Sequence, residues 1–140
     1  MTVKNWLNRG YRLRNSIKAL EKAKSNAWDM ATSTTTDLGE KVQESRGNST
    51  ENKLTAYLDY TKQIETDITK LLVIMGEIER VIMQVDNNVL RELLIHRYLN
   101  FETWESIAEQ MHYSYVHIVH NLHSKALKKV KELIEFNTQM

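Results

Sequence analysis

The chain has 140 residues, 41% of them hydrophobic, a net charge of +1 and no cysteine. That length suits one medium domain or two small ones, and the absence of cysteine excludes a disulfide framework and a thiolate zinc site while permitting a reducing compartment. Its most apolar stretch, Leu71 to Met75, is far too short to span a bilayer, so no membrane partner is expected.

Proline is absent and glycine occurs four times. Proline never interrupts the chain and glycine does so rarely, so the expected class is all-α. The N-terminus, MTVKNWLNRGYRLR, lacks an apolar h-region and is not expected to be a secretory signal. A heptad follows through Val3, Trp6, Gly10, Leu13, Ile17, Leu20, Lys24, Ala27 and Ala31, imperfect at Gly10 and Lys24. Seven bases lie between Met1 and Lys24 against one acid, Glu21. Such a run reads first as a solvated helix face.

Residues 32–52 are polar and contain STTTD and RGNST, so they are expected to form a mobile connector. A second heptad runs through Leu54, Tyr57, Thr61, Ile64, Ile68, Leu71, Met75, Ile78, Ile82 and Val85, nine of the ten apolar or aromatic. That stripe demands a partner helix. Two helices of roughly 40 to 50 Å joined by a flexible connector satisfy the pattern as a hairpin. An intermolecular coiled coil satisfies it equally. In either case Ile68 is expected to be buried in the stripe.

After Val85 the pattern changes. Asp86, Asn87 and Asn88 are helix-starting residues, and Leu90, Leu93, Leu94, Tyr98 and Leu99 supply an amphipathic helix. Asn100 is expected to stop it in a left-handed conformation. Thr103 is the expected N-cap of a helix from Trp104 to Met111, with Trp104, Ile107, Ala108 and Met111 on its core face. His112 and Tyr113 make a short turn. Ser114 caps a last helix carrying Ile118, Leu122, Ala126, Val130 and Leu133 on one face. Helix, short turn and helix, with a small residue at the crossing, is the helix-turn-helix arrangement.

The run LRELLIHRYLNFETWESIAEQMHYSYVHIVHNLHSKALKKV resembles region 4 of bacterial sigma factors. TWESIAEQMHYSY followed by LHSKAL is more similar to a family of small phage- and prophage-encoded proteins of Gram-positive bacteria. These pair an N-terminal helical segment with a sigma-like helix-turn-helix, and several related groups are thought to activate phage late genes. The resemblance covers the last third of the chain; the rest matches in layout only. It implies residues 1–85 as a helical hairpin or coiled coil with its connector at 32–52, and residues 86–140 as a DNA-binding domain. It implies a regulator of transcription, of the late-gene activator type, in the cytoplasm of a bacterial host cell. The implied partners are double-stranded DNA, RNA polymerase and a second copy of the chain. Two positions depart from the family. His112 stands where the turn usually has glycine, and Val116 stands where a basic residue often opens the recognition helix. Histidine tolerates positive φ better than most residues, and a valine can meet a thymine methyl instead of a phosphate or guanine.

With Ile118 as the buried centre of helix 115–135, steps of about 100° put Val116, His120, His123 and Leu127 roughly opposite, with His117 and Ser124 beside them. The expected DNA contacts are therefore Ser114, Tyr115, Val116, His117, His120, Asn121, His123, Ser124, Lys125 and Lys128. The two lysines come where a helix leaving the groove meets phosphates. From Met111 to Lys131 there are four lysines and no acids. His117, His120 and His123 have helical spacing, yet no carboxylate is interleaved and HExxH is absent, so no metal is expected. There is no glycine-rich phosphate loop, cysteine nucleophile or GxSxG, so neither catalysis nor a cofactor is expected. Two other functions fit parts of the pattern: a phage small terminase subunit, whose DNA-binding part usually comes first, and a coiled-coil adaptor that docks on polymerase.

Overall fold

The computed structural model describes residues 1–33 and 43–139, with side chains for 1–32 and 51–139. The described residues are helices and their connections, with no strand. The chain runs α1 (Val3–Leu7), α2 (Arg9–Ser33), α3 (Gln43–Ile82), α4 (Asn88–Leu94), α5 (Trp104–Met111) and α6 (His123–Gln139). The segment read as a connector lies partly outside the described residues; α2 extends to Ser33 and α3 has begun by Gln43. No helix among the described residues is long and apolar enough to cross a membrane.

Contacts divide the chain into two compact units, one of Met1–Arg12 with Leu71–Met140 and one of Leu13–Lys70. In the first, one core joins Leu7, Ile78, Ile82 and Val85 to Leu93, Leu94, Tyr98, Ile107, Ile118, Ala126 and Val130. The unit that contains residues 86–140 thus also takes in both ends of the heptad segments. Gly10 is buried in it; a Cβ there would lie 2.5 Å from Met75 Sδ. This imperfect heptad position is where the Met75 side chain packs against the helix, in space that a residue without a side chain leaves open. Arg9 donates to Glu77 at 2.9 Å and its guanidinium lies 4.7 Å from the centre of the Trp6 ring. Part of the basic N-terminal run is therefore partnered within the chain.

In the second unit Ile17, Ala31, Ile64 and Asp67 are buried. Trp28 packs against Tyr57 with ring centres 5.2 Å apart, and the Lys24 ammonium lies 5.0 Å from the centre of the Tyr57 ring. An open cavity of about 410 Å³ runs beside them, lined by Glu21, Ser25 and Ile64 among others. Gln63 donates to the buried Asp67 carboxylate at 3.0 Å.

The second heptad lies on the buried face at all but two of its positions. Tyr57, Ile64, Leu71 and Ile78 are buried or half-buried, as are Met75 and Ile82, but Leu54 and Ile68 are exposed. Within the single chain Ile68 is therefore not covered, and any burial of it has to come from another copy. A straight helix of 3.6 residues per turn drifts by about 20° per heptad from a strict seven-residue repeat. In the register of Leu54, Thr61, Ile68, Met75 and Ile82, Leu54 and Ile68 are exposed, Thr61 and Met75 are half-buried and Ile82 is buried. The other register stays within the buried face.

Candidate nucleic-acid interface

The candidate interface is shaped by a series of cap and turn residues. Asn87 Oδ1 accepts from the Val89 and Leu90 amides, at 2.9 and 3.1 Å, and starts α4. Beyond Leu94 the helix widens into a π turn, Ile95–Leu99, closed by the Asn100 amide donating to the Ile95 carbonyl. Asn100 itself is right-handed (φ −96°); the left-handed residue is Phe101 (φ 58°). The wide turn carries the chain one residue further before it reverses, which corrects the expected stop at Asn100. Thr103 Oγ1 then accepts from the Ser106 amide at 3.2 Å and starts α5.

α5 ends at His112, with φ 60° and ψ 38°. The Tyr113 amide reaches back to the Ala108 carbonyl at 3.1 Å. This six-to-one bond around a left-handed residue is the Schellman closure of a helix C-terminus. Histidine thus occupies the conformation for which glycine is cheapest. Ser114 Oγ accepts from the His117 amide at 3.2 Å and starts the last helix. Ile107 and Ala108 of α5 and Ile118, Leu122, Ala126 and Val130 of the last helix are all buried.

The last helix is not uniformly α. Residues His117–Leu122 form a second π turn before α6 begins at His123. An i→i+5 turn takes up one extra residue, so everything after it is rotated back by about 100° relative to an uninterrupted helix. Two consequences follow. His123 turns inward and Leu127 becomes half-buried, whereas Ser124 and Lys128 stay exposed.

His123 was expected at the groove-facing surface, and this is corrected: it is 6% exposed. Its Nε2 lies 2.6 Å from the Tyr98 hydroxyl, and its ring meets Trp104 edge-on with centres 4.5 Å apart. Burial, followed by the positive charges of Lys4 and Arg97, pushes its pKa down to about 4. Burial likewise pushes the Tyr98 hydroxyl up to about 12, against a smaller opposing effect of Arg97. His123 is therefore a neutral member of the core, and Tyr98 is its hydrogen-bond partner. His117, His120 and His123 do not share a face, and no cluster among the described residues could hold a metal ion.

The other nine expected contact residues stay at or near the surface. Ser114, Tyr115, Val116, His120, Asn121, Ser124, Lys125 and Lys128 are exposed, and His117 is half-buried. The Asn121 amide donates to His117 Nδ1 at 3.0 Å, and Ser124 Oγ donates to the His120 carbonyl at 3.0 Å. Sequence reasoning passed over Tyr113, which is exposed in the turn with its ring 5.3 Å from that of His117. Its place between two caps was the available signal.

It also passed over the cluster that braces α5. The Arg97 guanidinium lies 4.5 Å from the centre of the Trp104 ring and donates to the Glu102 carbonyl at 2.9 Å. Gln110 donates to the Glu102 carboxylate at 2.8 Å, and His96 hydrogen-bonds its other oxygen. The Gln110 hydrogen bond first, and His96 after it, hold the Glu102 carboxyl below its ordinary range. His96 Nε2 also lies 3.6 Å from the Glu92 carboxylate, one turn before it; that spacing of four is legible in the sequence, and the partners across the turn are not. The chain matches no protein-family model, no curated protein and no solved structure.

Proposed function

We propose that this chain is a DNA-binding regulator of transcription. In this reading α5, the His112 turn and the helix that starts at Tyr115 act as a helix-turn-helix, and α2 with α3 form a helical hairpin. The observation that carries it is the outer face of the last helix. Val116, His120, Asn121, Ser124, Lys125 and Lys128 are exposed there, no acid occurs between Met111 and Lys131, and the opposite face is anchored in the core.

Each residue type has a task on such a surface. Val116 offers methyl groups to a thymine methyl. His120 and Asn121 hydrogen-bond base edges in the major groove, where adenine presents a donor and an acceptor to an amide. Lys125 and Lys128 neutralise phosphates and set the register. The chain's net charge is only +1, so attraction to DNA has to come from this local patch.

Selection of bound duplexes from a random pool by the full-length chain tests the reading. A recurrent sequence among the retained duplexes is the expected result. No retention of any duplex at low salt, together with capture of RNA polymerase, would replace DNA binding by the adaptor function. A ring-shaped assembly would favour the packaging function.

A further inference from the structure

α3 carries a second stripe that its own chain leaves uncovered among the described residues. Leu54 is 39% exposed, Leu58 57%, Ile68 42% and Leu72 69%. At about 100° per residue, Leu54, Leu58, Thr61, Glu65, Ile68 and Leu72 fall within about 80° of one another. Their centre lies roughly 100° around the helix from the buried face marked by Ile64 and Asp67. A row of large apolar side chains on a long surface helix is a mark of association.

The order of residues in the stripe is symmetric. Leu54 and Leu72, Leu58 and Ile68, and Thr61 and Glu65 are each equidistant from position 63. A two-fold axis at that level would therefore set Leu54 of one copy against Leu72 of another, Leu58 against Ile68, and Thr61 against Glu65. This is the self-complementarity an isologous interface requires. Lys62 flanks the stripe on the side toward which Glu65 leans, and the same axis brings it to within one residue of the other copy's Glu65. A parallel pairing in register would instead set Glu65 beside Glu65 and leave that charge repelled. Charge and apolar pattern thus select the same partner and the same orientation.

We propose that two copies of this chain associate through the outer face of α3, antiparallel about the level of Gln63. The polar Thr61 and Glu65 layers at the centre fix the register, and the leucines and isoleucine on either side supply the apolar burial. The inference does not depend on the DNA-binding reading.

Sedimentation equilibrium of the full-length chain tests it. The expected mass is twice the 16.5 kDa of one chain. Leu58→Glu with Ile68→Glu is expected to halve that mass while far-UV circular dichroism stays unchanged, because both side chains are exposed. Lys62→Glu is expected to weaken the dimer, and adding Glu65→Lys to restore it. The chain has no cysteine, so orientation can be read by crosslinking. A mixture of Leu58→Cys and Ile68→Cys chains should form a disulfide-linked dimer, and either chain alone should not. A monomeric parent, a larger ring, a dimer indifferent to the Leu58 and Ile68 changes, or crosslinking by Leu58→Cys alone would overturn the proposal.

Discussion

Acidification isolates the buried contact between His123 and Tyr98. His123 stays neutral in the folded protein down to about pH 4, whereas in the unfolded chain it takes up a proton near 6.5. The unfolded state therefore binds more protons throughout that interval, and stability falls as pH falls through it. Above 6.5 the contribution is fully present. At about 1.4 kcal/mol per pH unit, the gap corresponds to a loss of about 3 kcal/mol between pH 7 and pH 4. Glu102, whose pKa is lowered on folding, also costs stability on acidification, so the parent curve alone does not isolate His123. The comparison is with Tyr98→Phe/His123→Leu, which removes the titrating ring and its partner together. Removing only the histidine would strand the buried hydroxyl, at about 1 to 3 kcal/mol. Measured by urea unfolding at pH 7, 6, 5 and 4, the parent should lose about 3 kcal/mol more than the double variant over the series. Parallel curves for the two proteins would refute the argument that His123 is held neutral by burial.

Three further outcomes are expected. Lys128→Ala should weaken binding to every duplex alike and lower the salt slope of log affinity by about one, whereas His120→Ala should cost roughly 1 to 3 kcal/mol on the selected sequence and little on random DNA; filter binding across a salt series reads both, and two variants indistinguishable from the parent would remove the last helix as the DNA reader. His112→Gly should raise stability in urea by about 1 kcal/mol, because the left-handed conformation costs an L residue about 1 to 2 kcal/mol and glycine gives part of that back in chain entropy; a loss of stability would show that the imidazole makes a contact that matters. Thr103→Ala should cost about 1 kcal/mol through the lost N-cap of α5, and an unchanged urea midpoint would mean that the cap contributes nothing.

Much of this protein is determined locally and is legible in the sequence. The all-helical class follows from the absence of proline and the scarcity of glycine. The N-caps at Asn87, Thr103 and Ser114 follow from side chains that bond the next turn of backbone, which needs no tertiary context. The apolar core positions of α5 and the last helix follow from periodicity. Other features depend on neighbours that sequence spacing does not reveal. Two π turns, each adding one residue, moved the left-handed stop from Asn100 to Phe101 and turned His123 from the surface into the core. The second heptad read as one seam, yet two of its positions, Leu54 and Ile68, lie off the buried face. Whether a side chain at a given angle is buried depends on which surface the packed neighbours cover, and that is settled only when the helices meet.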